Sequence, residues 1–298
     1  VKSLEVEVRP PSPYRLPSYG GGDRVMRVEG GVATRLLQVE GSPVLVRAWQ
    51  RAAGRVVFRA EPVDPGAPAL PRGLPPQPAR PAGRAELELA TERLRFALGV
   101  DDDLGEFYRA FRRDPLLGPS LRRRPWMRPR RRPWPWEALA WAVVRQLIES
   151  GRAARIQRRI VGRWGARLGG LRDVPPPATI AGRAPAEIEQ LGLSPARSIA
   201  LRAVARQIAA GRCDPAEPGA DRRLLAIREI GPWTVRCLGL YGRGDPDSLP
   251  AGDLVYLKLV GRLARLGRRA TVEEVEEFYA PYAPFRGLAA AWTGGMYG

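Results

Sequence analysis

The sequence contains no histidine and only two cysteines, Cys213 and Cys237. Without histidine there is no Ser-His-Asp or Cys-His nucleophilic machinery, and the common zinc sites lose their main ligand. Two cysteines are too few for a four-cysteine iron–sulfur cluster or a disulfide framework. Lysine is nearly missing as well, with Lys2 and Lys258 its sole representatives. An amine nucleophile must therefore be one of these or the N-terminus. No charge-free apolar run reaches the roughly 18 residues that suggest a membrane-spanning helix. The opening VKSLEVEVRPPSP does not read as a signal peptide. The expectation is a cytoplasmic protein with no membrane partner.

What the chain has in abundance is arginine. It supplies 47 of the 49 basic residues, and against 31 acidic residues the net charge is +18. Such an excess favours a polyanionic partner, nucleic acid first. Genome composition or heat adaptation would explain Arg over Lys, but less well the excess over the acids. With 298 residues, 44% hydrophobic and 27% charged, the composition is that of a globular protein of two domains or one large one.

Residues 1 to about 63 read as short strands. LEVEV alternates, and RVMRVEGG, TRLLQVEG, PVLVRAWQ and GRVVFRAE are Val- and Leu-rich runs punctuated by Gly and Pro, as in an antiparallel meander. Residues 62–81 are crowded with proline and glycine and read as a linker or irregular crossing segment. From residue 85 the period turns helical, with helices expected at 85–98 and 104–112. The stretch 122–136, RRRPWMRPRRRPWPW, cannot be a regular helix because prolines interrupt it. Trp136, Leu139, Ala140, Val143, Val144, Leu147 and Ile148 then form the clearest amphipathic stripe. Further helices are expected at 152–168, 184–191, 195–210, 221–227, 232–241, 253–266, 272–279 and 285–292. The fold class is α+β. A small antiparallel β-rich domain with its Pro-rich linker occupies 1–83, and a mainly helical body occupies 84–298.

The informative stretch is 224–259, LLAIREIGPWTVRCLGLYGRGDPDSLPAGDLVYLKL. Two helices flank the turn Glu229-Ile230-Gly231-Pro232. Gly231 permits a positive φ, and Pro232 suits the first turn of a helix. Backbone N–H groups at the start of the second helix are suited to a phosphate, without reading sequence. An ordinary helical corner has the same residues. Asp253 follows Pro-Ala-Gly and precedes an apolar run, so it can N-cap a helix whose dipole favours the ionised carboxylate. Asp245 and Asp247 fit a GDPD turn.

IREIGPWT followed downstream by LPAGDLVYL resembles the helix-hairpin-helix DNA glycosylase superfamily. Upstream, PWEALAWAVVRQLIESGRAARIQRRI resembles a second landmark of its DNA-3-methyladenine glycosylase II (AlkA-type) branch. The resemblance is detailed over 135–285 and extends to the N-terminal domain in position and class only. It implies two helical lobes with the hairpin at about 224–241, and Asp253 as the catalytic carboxylate beside the sugar of an everted nucleotide. Departure of the base leaves positive charge on that sugar, which a carboxylate stabilises while it orients or activates water. Bifunctional members carry a lysine just before the hairpin-helix threonine. Here Trp233 precedes Thr234, which implies a monofunctional enzyme without a Schiff base. The implied substrate is an alkylated purine of the 3-methyladenine type in damaged double-stranded DNA, handled by a monomer. The resemblance implies no required cofactor, and a monovalent cation held at the hairpin by the backbone carbonyls of Leu225, Ile227 and Ile230.

The remaining site residues come from the same resemblance. Leu147, with Gln146 beside it, aligns with the wedge that fills the hole left by the extruded base; periodicity alone puts Leu147 on the core stripe. Trp233 matches a pocket tryptophan. Trp292, Tyr14 and Tyr19 are further aromatic candidates able to face a cationic purine. Cys237 stands where the branch often has a tyrosine, Gly294 where its last pocket tryptophan is expected, and Glu229 at the first hairpin glycine. Gly231, Pro232 and Thr234 are expected at the DNA backbone, together with Arg130, Arg131 and Arg132 from the basic run. Two other readings remain open: a non-enzymatic hairpin-type binder of damaged or bent DNA, and a glycosylase for oxidised or deaminated bases.

Overall fold

The computed structural model describes residues 2–51, 54–64 and 81–297. Five strands come first: β1 (Leu4–Val8), β2 (Met26–Glu29), β3 (Val32–Val39), β4 (Ser42–Gln50) and β5 (Val56–Pro62). They form one antiparallel sheet in the order β1-β5-β4-β3-β2. Strands β2 to β5 make the meander, and β1 closes against β5. Turn chemistry sets the register. Gly30 and Gly31 both have positive φ (56° and 77°), as do Glu40 and Gly41 (49° and 83°). Two such residues in a row make the primed turn whose twist matches its flanking strands.

Most of the expected Pro-rich linker, residues 65–80, lies outside the described residues. After it, α1 (Arg84–Leu98) packs on the sheet. Its Leu87, Ala90, Leu94 and Leu98 share a core with Leu37, Val46 and Phe58. The expected boundary at residue 83 thus falls inside a packed unit that runs on through Val100. The reason is α1's apolar stripe, which is buried against the sheet.

The helical body follows. Helices α2 (Gly105–Phe111) and α3 (Gly118–Arg123) precede the proline-broken basic loop. Then come α4 (Pro135–Arg145), α5 (Ser150–Trp164), a small hairpin of β6 (Arg167–Leu168) and β7 (Leu171–Arg172), α6 (Pro177–Ala181), α7 (Pro185–Glu189), α8 (Pro195–Ala209), α9 (Asp221–Leu225) and α10 (Pro232–Leu238). A π turn (Gly239–Arg243) extends α10, and α11 (Leu254–Leu263), α12 (Val272–Tyr279) and α13 (Arg286–Tyr297) complete the body. The β6–β7 hairpin occupies the end of what periodicity reads as one helix. Gly165 permits the close turn: a Cβ there would lie 2.1 Å from the Asp173 carbonyl and 2.6 Å from that of Val161. Two cores result. One joins α4 to α10 through residues such as Leu139, Ile160, Val204 and Leu238. The other joins α2 and α3 to α11–α13 through Phe107, Leu117, Val260 and Tyr279. No helix among the described residues is long and apolar enough to cross a membrane.

A buried ion cluster ties the sheet to this body. Arg35 projects from β3 and donates to Glu137 of α4 at 2.7 Å and to Asp173 at 3.0 Å. Arg132 donates to Asp23 at 2.6 Å and to Glu137 at 3.1 Å. The Trp141 indole also donates to Asp23, at 3.0 Å. Burial pushes the Glu137 carboxyl above its ordinary range despite both arginines. Burial acts on Asp23 in the same direction, but Arg132 and Arg35 outweigh it and hold that carboxyl low. Removing one member strands the others in a poorly solvated junction. Arg35→Met is therefore expected to destabilise the protein by about 3–5 kcal/mol, read as a lowered midpoint in urea unfolding followed by circular dichroism.

Candidate active site

A cleft of about 860 Å³ runs between the two helical lobes and the sheet unit. One wall comes from α10 and its π extension. Trp233, Cys237 and Tyr241 lie at i, i+4 and i+8, which places all three on one helical face, and all three line the cleft. Trp233 has a buried indole N–H with no hydrogen-bond partner among the described residues. Ala138, Trp141, Ala142 and Arg145 of α4, which packs beside α10, also line the cleft, as do residues of the basic loop 124–133.

Asp253 stands where the chain passes from the first lobe to the second, at the N-cap of α11. Its Oδ1 accepts the Val255 N–H at 2.9 Å, and its own N–H donates to the Pro250 carbonyl at 2.9 Å. The side chain is half-buried and lines the cleft. Among the described residues no cation lies within 4.0 Å of it to form an ion pair. One carboxylate oxygen is thus spent on the cap, and the other faces no competing charge. Cys237, Tyr241, Tyr256 and Arg145 line the cleft with it. Burial, with the Asp253 carboxylate adding to it, pushes the Cys237 thiol up. Burial, Cys237 and Asp253 raise the Tyr241 phenol to about 12, against the opposing effect of Arg145. Burial, Tyr241 and Asp253 also raise Tyr256 well above its ordinary value. At neutral pH these groups are protonated, so the carboxylate is the negative charge on this wall.

The hairpin packs tightly. The Ile227 N–H donates to Leu224 at 2.9 Å, that of Ile230 to Ile227 at 3.0 Å, and that of Thr234 to Gly231 at 3.0 Å. The positive φ expected at Gly231 belongs to Glu229 (φ 71°), while Gly231 has φ −106° as the N-cap of α10. Pro232 is exposed. Thr234 is buried, which removes it from the DNA-facing surface where it was expected. Its hydroxyl instead accepts from Gln146 at 2.9 Å, and the Gln146 amide also donates to the Glu229 carbonyl at 2.7 Å. Arg197 in turn donates to the Gln146 carbonyl at 2.8 Å.

Leu147 follows this clasp. The expected helix stops at Arg145, and Leu147 is fully exposed (103%) with φ 52°. It is not part of the core stripe that its spacing suggests. An exposed apolar side chain in a left-handed conformation is costly, and such strain marks functional positions.

Other expected residues fall elsewhere. Trp292 is sealed in the second core beside Phe107 and Tyr108 and does not line the cleft. Tyr14 packs on the sheet core, with its hydroxyl donating to the Leu98 carbonyl at 3.1 Å. Tyr19 stays at the cleft rim, 65% exposed, with the Arg130 guanidinium 3.6 Å from its ring centroid. Arg131 is withdrawn, paired with Asp102 and stacked over Phe96. Arg132 is held in the ion cluster. Carboxylates within reach capture both, so of the three arginines only Arg130 keeps an outward position. Tyr241, Tyr256 and Arg145 line the cleft although nothing singled them out beforehand. The i+4 step from Cys237 was the signal that could have found Tyr241.

Residues 140–284 match the family model described as HhH-GPD superfamily base excision DNA repair protein. The curated DNA-3-methyladenine glycosylase of Bacillus subtilis is 26% identical over 221 residues, covering 71% of this chain and 73% of that protein. A Mycobacterium tuberculosis protein named "Probable bifunctional transcriptional activator/DNA repair enzyme AlkA" is 30% identical over 219 residues. The match covers 70% of this chain but 43% of the mycobacterial protein, so the chain spans less than half of that relative. The solved 3-methyladenine DNA-glycosylase from Archaeoglobus fulgidus has the same fold, with a TM-score of 0.77 at 20% identity, covering 99% of this chain and 97% of that one. The matched stretch begins inside α4 and ends after α12, so it contains the hairpin, most of the cleft helices and Asp253, and this part of the chain is an HhH-GPD domain of the base excision DNA repair type.

Proposed function

We infer that the protein is a monofunctional DNA glycosylase that excises alkylated purines, 3-methyladenine among them, from double-stranded DNA and acts as a monomer. The observation that carries this reading is the half-buried Asp253 carboxylate at the cleft wall, one oxygen on its cap and the other unpaired. A damaged nucleotide leaves the duplex and enters the cleft base first, with its sugar next to Asp253. As the N-glycosidic bond breaks, its electron pair goes to the purine, which loses its cationic charge. Positive charge develops on the sugar, and the carboxylate stabilises it. Water adds at C1′, its proton is released, and an abasic site remains. The cationic purine meets the indole of Trp233, an arrangement worth about 0.5–2 kcal/mol. The names of the Bacillus and Mycobacterium relatives support the alkylated-purine reading over one for oxidised or deaminated bases.

The rest of the site supports a DNA-bending reaction. Leu147 enters the stack where the nucleotide has left it, and the Gln146 clasp holds that tip against the hairpin. Gly231, Pro232 and Arg130 meet phosphates. The carbonyls of Leu225, Ile227 and Ile230 would hold a monovalent cation, which would supply positive charge at the DNA-facing turn. The donor set is all oxygen, as a hard cation requires, although the Ile227 oxygen already accepts the Ile230 N–H. Water is the nucleophile, because neither lysine lines the cleft among the described residues.

Three measurements test this. With methylated duplex, Asp253→Asn is expected to lower single-turnover base release by about 10²–10³-fold, while binding to an abasic-site analogue persists. Equal release by both proteins removes the carboxylate from the reaction, and no release by wild type favours the non-enzymatic binder. Borohydride reduction during turnover is expected to trap no covalent protein–DNA adduct; a trapped adduct contradicts hydrolysis by water. Leu147→Ala is expected to weaken binding to abasic-site duplex by roughly tenfold, the worth of one buried leucine, with little change on single strands. Equal losses on both exclude the wedge.

A further inference from the structure

The bonds from the Gln146 amide to the hairpin secure one flank of the Leu147 tip. The other flank is made of arginine. Arg197, in the first turn of α8, donates to the Gln146 carbonyl at 2.8 Å and to Ser194 Oγ at 3.0 Å. Its guanidinium is thus fixed at the very peptide that joins Gln146 to Leu147. Those bonds use Nη1 and Nε, and Nη2 has no partner among the described residues. Arg152 approaches from α5. Ile156, one turn further along that helix, packs on the segment leading into α8. A Cβ at Gly192 would lie 3.3 Å from Ile156 Cγ1, and Ile156 shares a core with Leu193. Arg152 is exposed and forms no ion pair among the described residues. Burial holds the Arg197 guanidinium below its ordinary pKa, and the Arg152 charge adds to that effect. Five arginines stand in α5 and three in α8, with no acidic residue in either helix. Glu149, which N-caps α5, forms no ion pair among the described residues. Like charges held together without a counterion cost free energy, which a bound anion recovers.

We propose that Arg152 and Arg197 clamp a DNA backbone phosphate beside the Leu147 wedge, on the flank away from the hairpin. The proposal rests on the glycosylase reading and deepens it. A wedge opens a base stack only while the duplex is held on both sides of it. Held on one side, the duplex rolls off the tip and the stack closes. The hairpin gives one hold, and the arginine pair gives the other. A guanidinium fork matches the oxygens of a phosphate, and its bonds to them are charge-assisted. Arg197 is also a positioning residue, because it bonds the peptide that carries the wedge. A phosphate seated on Arg197 therefore braces the tip directly. Phosphate contacts read no sequence, which suits an enzyme that meets its lesion in any context.

The test measures binding of the full chain to a duplex carrying an abasic-site analogue. Phosphates around the analogue are replaced one at a time, on either strand, by an uncharged methylphosphonate. Arg152→Ala is expected to weaken binding to the unmodified duplex by about tenfold, as for one charge-assisted hydrogen bond. It is also expected to lower the slope of log affinity against log salt by about 1. One methylphosphonate position that costs wild type about tenfold is expected to cost Arg152→Ala nothing more. Arg197→Ala is expected to silence the same position, and Arg152→Lys, which keeps the charge, to restore the salt slope. Methylphosphonate losses that add to the Arg152→Ala loss at every position overturn the clamp. So does an Arg152→Ala loss that follows the base opposite the analogue instead of a phosphate, which would make the pair a reader of that base. In both cases base release by wild type leaves the glycosylase reading standing. Failure of wild type to bind the analogue duplex or to release a base overturns both.

Discussion

Two guanidiniums and three carboxylates meet where the sheet, the basic loop and α4 converge, and the shape of the cleft depends on that junction. Arg35 comes from β3, Arg132 from the loop, Glu137 from α4, and Asp23 and Asp173 from connecting segments. Apolar packing alone would hold these pieces together without choosing the angle between them. Forked, charge-assisted hydrogen bonds are directional, so they accept few angles. Burial raises the Glu137 carboxyl, with Asp23 and Asp173 adding to it against Arg35 and Arg132. Arg35, Asp23, Arg132 and Glu137 also line the cleft. The same contacts that orient the sheet therefore build part of the cavity floor.

A second constraint links the DNA-facing tip to the hairpin. One amide, that of Gln146, bonds both to the backbone of the hairpin turn and to a buried threonine at the start of α10. The backbone leaves helical geometry at Gln146 and turns left-handed at Leu147. A leucine side chain is thereby held in water, against its hydrophobic preference, by polar contacts one residue away. The strain is local, and the clasp that maintains it also fixes the helix bearing Trp233 and Cys237. These bonds join the tip to the cleft wall.

Legibility in the sequence followed the range of the interaction. The strands of the sheet could be read because alternation and Gly-Gly or Glu-Gly turns are local. The helices could be read from apolar spacing, and Asp253 as an N-cap from its immediate neighbours. The β6–β7 hairpin could not, because the helical spacing runs on past Gly165, where the chain turns back and the Asp173 carbonyl closes on it. Leu147 and Trp292 show the same limit from opposite sides. The first has core spacing yet sits in solvent because the helix ends two residues before it. The second has the aromatic character of a pocket residue yet lies in a core, since Phe107 and Tyr108 from α2 cover it.

Charge showed the widest gap between composition and position. Arginine excess points to a polyanion, but it cannot say which guanidiniums face one. Arg130, Arg131 and Arg132 are consecutive and chemically identical, yet one stacks on an exposed tyrosine, one pairs with Asp102 and one enters the buried cluster. What the sequence by itself determined was local: strand and helix periods, the hairpin turn, the capping aspartate and the absence of histidine and of a lysine beside the hairpin threonine. Only the tertiary structure decided which charges are spent internally, which aromatics line a cavity and how large that cavity is. Those outcomes depend on partners far apart in the chain, and no local pattern encodes the distance between them.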